Sequence, residues 1–133
     1  MNNQVLEMLG KSTYTISDKK YVYVTVAKEP MFSNHFMVSK DSDEITVVTE
    51  ESNLVELDVL KRNENLWRLV SLNMSVPFTA GTLATINSAC AKRNLNNLII
   101  STYSKDYIIV KDSHVDQIKE VLESLGVKQK PLI

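Results

Sequence analysis

Cysteine and glycine are scarce in this chain, and their scarcity excludes several kinds of protein. Its 133 residues include one cysteine, Cys90, so no intrachain disulfide can form, and no Cys/His cluster has zinc spacing. That usage suits a reducing compartment, and the cytoplasm is the expected location. Three glycines leave no phosphate-cradling loop, and there is neither a nucleophile elbow nor an HExxH pair. No catalysis of its own is therefore expected. His35 and His114 stand alone, and Asp41, Asp43 and Glu44 lack the glycine and closing glutamate of an EF-hand loop. Neither a metal nor a cofactor is expected.

Charge and long apolar runs are also lacking. The formal net charge is −1, with lysines and arginines scattered among acids. A nucleic-acid partner would call for a basic patch, so none is expected. No stretch approaches the ~20 apolar residues of a membrane helix. MNNQVLEMLGK has neither a basic leader nor an apolar run of signal-peptide length.

What remains is an ordinary globular composition, 44% hydrophobic and 23% charged, enough for one domain or two very small ones with a real core. Val5, Leu6, Met8 and Leu9 share a helical face that Gly10 ends. Tyr14-Thr15-Ile16, YVYVTV from Tyr21, His35–Ser39 and EITVVT from Glu44 read as strands. Only 28–34 separate the second from the third, too few for a crossover helix. Asp41-Ser42-Asp43 is a turn by composition. Residues 50–65 leave strand and helix both open, with KRNEN from Lys61 read as a loop.

Leu66–Leu72 alternates as a strand and Pro77 stops it. Thr79 or Thr82 is placed to cap a helix whose apolar face is Leu83, Ile86, Ala89 and Cys90. Strands Leu98–Thr102 and Tyr107–Lys111 flank the turn Tyr103-Ser104-Lys105-Asp106. A second helix, capped by Asp112 or Ser113, runs along Val115, Ile118, Leu122 and Leu125 to Gly126. Val127–Ile133 suits an edge strand. The expected class is α+β: residues 64–133 follow the ferredoxin-like order β-α-β-β-α-β, a four-stranded sheet with both helices on one face. Residues 1–63 have similar strands with their helices shortened or missing.

The run Trp67-Arg68, Val76-Pro77-Phe78, Gly81-Thr82-Leu83-Ala84, Ile100-Ser101-Thr102-Tyr103 and Asp106-Tyr107-Ile108-Ile109-Val110 resembles the ACT-domain family. More narrowly, it resembles the small stand-alone tandem ACT proteins of bacteria, of the subtype found in aspartate kinases and in eukaryotic cytosolic arginine sensors. The likeness is strong over about 66–126. In the first half it rests on Asp43-Glu44-Ile45-Thr46-Val47-Val48. The resemblance implies two ACT-like units in tandem, the first (1–63) degenerate and the second (64–133) complete. It also implies a regulatory module that binds a small molecule, an amino acid above all, between its halves or across a homodimer.

The physics of such a site fits these residues. A glycine before a helix lets a ligand approach the backbone closely, and free N–H groups at the helix start receive a carboxylate. A carboxylate elsewhere receives an ammonium or guanidinium. Carried over on the resemblance, the turn contacts fall on Thr79, Ala80, Gly81 and Thr82, and the strand-end contacts on Thr102, Tyr103, Lys105 and Asp106. The partner-strand contacts fall on Thr46 and Val47. Gly81 reads equally as a tight-turn residue, and Asp106 as one that closes its turn or pairs with Lys105. The chain departs from the family pattern at Thr82, where an apolar residue is usual, and at Asn96-Asn97. It departs also at Lys105, whose charge beside Asp106 argues against a basic ligand. The competing reading is an interaction module without ligand that pairs through its sheet edges.

Overall fold

The computed structural model describes residues 3–76 and 79–130. The strand stop expected at Pro77 and the end of the tail strand, Pro131–Ile133, lie outside them. The local elements follow from hydrophobic period. Val5, Met8 and Leu9 are all buried on one face of α1 (Asn3–Gly10). β1 (Thr13–Ile16) and β2 (Tyr21–Val26) bury every second side chain, the period of a pleated strand. β3 (Met37–Lys40) and β4 (Ile45–Glu50) form a hairpin with Met37 opposite Val48 and Lys40 opposite Ile45. Asp41 builds its turn: Oδ1 accepts from the backbone N–H of Asp43 at 2.7 Å and of Glu44 at 2.9 Å. Those two donors hold the carboxyl below the usual carboxylate range. The open stretch after β4 becomes a 3₁₀ helix, Glu51–Glu56, followed by β5 (Val59–Arg62). Lys61 and Arg62, expected in a loop, extend β5 because Thr25 and Val24 of β2 lie opposite them and supply the ladder.

Two compact units emerge. One is Asp18–Arg68; the other joins Met1–Ser17 to Leu69–Ile133. This division differs from a single break at 63/64 in that the N-terminal residues belong with the C-terminal ones. The cause is a long-range ladder: β1 runs antiparallel to β6 (Trp67–Asn73), from Thr13 opposite Asn73 to Ile16 opposite Val70.

In the 18–68 unit β2 is central. β4 pairs along one side of it, β5 along the other, and β3 lies outside β4. Val22, Val24, Val26 and Val47 form the core, joined by Leu54, Leu57, Val59 and Leu66. No α-helix occurs among the described residues of this unit. The 3₁₀ helix is tied down instead by Asn53, whose Nδ2 donates to Thr49 Oγ1 (2.8 Å) and to the Asn34 carbonyl (3.2 Å).

The other unit carries the ferredoxin-like order: β6, α2 (Thr82–Lys92), β7 (Leu98–Ser101), β8 (Asp106–Lys111), α3 (Val115–Ser124) and β9 (Lys128–Gln129). Its strands lie in the order β7-β8-β6-β1-β9. β1 takes the place beside β6 expected of the last strand, and β9 is a two-residue strand parallel to β1. Leu9, Tyr14, Leu72, Ile86, Ile108, Ile118 and Leu122 are each at most 1% exposed in one core that joins α1, both helices and the sheet. Burial of one such aliphatic side chain is worth roughly 1.5–3 kcal/mol. Neither N-cap residue bonds its helix through a side chain: Gly81 is the N-cap of α2 and His114, at the end of the 3₁₀ turn Asp112–His114, that of α3. The expected cap Thr79 donates instead to the Val76 carbonyl at 3.0 Å. The other, Thr82, points inward with Ile86 and Cys90.

Candidate functional site

The turn between β6 and α2 ends at Gly81, whose φ of +90° is left-handed. A side chain is strained there whatever the space, so glycine is what lets the chain turn into the helix. Thr85 N–H closes the first helical bond to the Gly81 carbonyl at 2.9 Å. The N–H groups of Leu83 and Ala84 come before that bond and have no partner among the described residues. They form the positive end of α2. Across the sheet, β7 and β8 meet at a turn that Thr102 closes, its N–H donating to the Lys105 carbonyl at 2.8 Å and its Oγ1 to the same oxygen at 3.2 Å. The turn delivers Asp106 to the start of β8, where Oδ1 accepts from Ser101 Oγ at 2.5 Å. The second carboxylate oxygen has no partner among the described residues, and Lys105 makes no ion pair with it.

These two features share a cavity of about 380 Å³ lined by Thr79, Gly81, Thr82, Ser101 and Asp106, with Met74, Val76, Leu83 and Ala84 as its apolar wall. A helix start and an unneutralised carboxylate on one cavity make a receptor for an anion and a cation held on one small molecule. Roomier hollows among the described residues include two of other character. One of about 450 Å³ surrounds the β3–β4 turn and is rimmed by exposed charges, including Lys40, already paired with Glu29 at 2.6 Å. The other, about 520 Å³, lies along α2 and the end of α3 over Ala84, Ser88 and Ala89. Neither includes a carboxylate together with a helix start, so chemistry rather than size selects the smaller one.

Of the residues read from the sequence, Thr79, Gly81, Thr82 and Asp106 line this cavity; Ala80, Thr102, Tyr103 and Lys105 do not. Tyr103 is 95% exposed at the tip of the β7–β8 turn. Thr46 and Val47 lie on β4 of the 18–68 unit, hydrogen-bonded in ladders to β2 and β3. Val47 is wholly buried among valines, and Thr46 Oγ1 donates to Glu44 Oε2 at 3.2 Å. The sequence reading missed Met74, Val76, Leu83, Ala84 and Ser101 as lining residues. Their signal was adjacency, since Leu83 and Ala84 follow Gly81 directly and Ser101 precedes the β7–β8 turn.

Thr82 is 5% exposed, and its hydroxyl has no hydrogen-bond partner among the described residues. Its inward aim explains why an apolar residue would suit the position. Cys90 lies two turns further along the same face, 2% exposed, and burial pushes its thiol up, away from the reactive thiolate. Among the described residues no group of His, Cys, Asp and Glu could hold a metal ion, and no helix is long and apolar enough to cross a membrane.

A family model of the ACT domain matches residues 63–124. No curated protein matches the sequence. Among solved structures, a protein of unknown function from Vibrio cholerae superposes with a TM-score of 0.74 at 17% identity, over 92% of this chain and 96% of that one. The regulatory subunit of an aspartate kinase from Thermus thermophilus, in a ligand-free form, gives a TM-score of 0.58 at 8% identity, over 84% and 95%. An aspartate kinase from Clostridium acetobutylicum gives 0.64 at 16% identity, over 84% of this chain but 34% of its own. At these identities the likeness is one of fold. The matched segment covers β6 to α3, the elements that build the cavity, and over that segment, just under half of its length, the chain is similar to the ACT domain.

Proposed function

We propose that this chain is a regulatory module that binds an amino acid in the cavity beside Gly81 and carries out no reaction of its own. One observation carries the reading: the open N-terminus of α2 and the free oxygen of Asp106 line the same cavity. An α-amino acid presents a carboxylate to the first and an ammonium to the second. The cavity lies in the range of ~300–1,000 Å³ usual for small-molecule sites. The aspartate kinase regulatory subunit of like fold is consistent with a regulatory role. We place the protein in the cytoplasm and expect it to act as a homodimer. Binding would act by shifting populations toward the arrangement that holds the ligand best.

Thermal-shift and calorimetric screening of the common amino acids tests this. A well-folded sample that responds to none of them sinks the reading. Where one binds, Asp106→Asn should weaken it about tenfold or more, the loss of a charge-assisted contact, while leaving the fold intact. Equal affinity in the variant would remove Asp106 from the site.

A second reading rests on β7. Among the described residues it pairs with β8 alone, and Leu98-Ile99-Ile100-Ser101 carries neither lysine nor proline to blunt its outer edge. Such an edge is a template for another strand. A chain that binds no small molecule but dimerises, and loses the dimer on Ile99→Lys, would favour it.

A further inference from the structure

The N-terminal arm, α1 with Ser12, approaches two of the three chain segments that line the cavity. The first contact is polar. Ser12 is 2% exposed, and its hydroxyl donates to the Met8 carbonyl at 2.7 Å while accepting from the backbone N–H of Ser75 at 3.0 Å. Ser75 Oγ returns a second bond to the same Met8 carbonyl at 2.9 Å. Met8 is in the last turn of α1, where its carbonyl accepts from the Lys11 N–H at 3.1 Å and, on its other side, from these two hydroxyls. Ser75 sits between Met74 and Val76, two apolar lining residues. The second contact is apolar. Val5, 2% exposed, lies against the Gly81 turn, where a methyl placed on Gly81 would come within 3.6 Å of its Cγ2. Hydrogen bonds thus hold one wall, and Val5 of the same arm lies near the other.

We propose that Ser12, Ser75 and Val5 are positioning residues for the candidate site: they couple docking of the N-terminal arm to the shape of the 74–84 segment, and so to occupancy of the cavity. The proposal rests on the reading of that cavity as the ligand site, but its first test does not. The coupling is reciprocal by linkage. An arm that loosens frees the cavity wall, and a ligand that needs the wall in place holds the arm. Ser12 reaches no lining atom itself and acts through the Ser75 backbone.

Amide hydrogen exchange on the full chain is the test. Ser12→Ala should speed exchange at Ser75, Val76 and Thr79–Ala84 by about tenfold, with the amides of β8 and α3 unchanged. Ser75→Ala, which removes one of the bonds, should act in the same direction and less. Tyr14→Phe is the control. It removes another bond of the same segment, half-buried, from Tyr14 Oη to Glu123 Oε1 at 3.3 Å, on the side of α3. It should lower the melting temperature and leave 75–84 unchanged. Uniform acceleration across the unit in Ser12→Ala, or none at 75–84, overturns the proposal.

The second arm uses the amino acid that gives the largest thermal shift with the wild-type chain. It should slow exchange across 3–12, and Ser12→Ala should weaken it about tenfold while Tyr14→Phe changes it by less than about twofold. Binding that leaves 3–12 unprotected also overturns the coupling. If no amino acid shifts the wild-type protein, the ligand reading fails, and the exchange comparison still decides the positioning role.

Discussion

The two units start from comparable strands and end differently. In 18–68 four valines and a few partly buried leucines form the core, and a 3₁₀ helix is its only helical element among the described residues. In the other unit two α-helices and an N-terminal arm close over β1, β6 and β8. A β-sheet with one face to bury needs a cover, and the length of its connections decides what cover is available. Residues 27–36, between β2 and β3, are too few for a crossover helix, whereas 74–97 between β6 and β7 hold α2. The consequence reaches function. An α-helix start presents several free N–H groups together, and among the described residues the unit with α2 is the one that sets such a start on a cavity with Asp106.

The largest test of this contrast is core truncation. Leu122→Ala should cost about 4 kcal/mol in denaturant unfolding, and Val24→Ala about 2, because the leucine leaves the larger cavity in the more enclosed core. Equal costs would show that the strand-only unit is packed as well as the other. Next comes pH. Burial, and then the neighbouring Glu123 charge and its hydrogen bond, push the Tyr14 hydroxyl from 10.0 up to about 12. The folded state therefore holds that proton more tightly than the unfolded one. Its contribution is complete below pH 10 and falls away between pH 10 and about 12. Alkaline unfolding of Tyr14→Phe should lack this component; an unchanged alkaline limb would place the loss elsewhere.

Gly81→Ala should cost about 1–2 kcal/mol through its left-handed φ alone, since the added methyl meets Val5 at an ordinary 3.6 Å. A neutral result by calorimetry would mean that the turn relaxes to another conformation. The smallest pair compares two buried threonines. Thr49, wholly buried in the strand unit, accepts from Asn53 and contacts His35 Nδ1 at 2.8 Å, so Thr49→Val should lose about 1 kcal/mol. Thr82 has no partner among the described residues, so Thr82→Val should gain about 1 kcal/mol. Opposite signs in melting temperature support the assignment, and a loss at Thr82 would reveal a partner for its hydroxyl.

Where single-strand pattern and turn chemistry suffice, the sequence was legible. YVYVTV alternates and becomes β2, and Asp41 closes the turn that its type suggests. The stretch after Glu50 was not, because Leu54, Val55, Leu57 and Val59 satisfy neither period over enough residues and only β2 decides where β5 pairs. At the site, Gly81 and Asp106 were legible as a helix-entry glycine and a strand-start acid. The inward aim of Thr82 was not, since it depends on where α2 begins, and Gly81 rather than a threonine side chain sets that start.

By itself the sequence determined what is local: most helices and strands outside residues 50–65, the turn at Asp41, and that one cysteine and three glycines support neither a disulfide framework nor a phosphate loop. Those outcomes depend on neighbours within a turn or two of chain. Tertiary structure alone decided that residues 1–17 join 69–133, that β1 lies beside β6, that Ser12 holds Ser75 sixty-three positions away, and that the start of α2 and Asp106 share a cavity. These pairings join residues whose separation along the chain carries no periodic signal, and they form because they close one core.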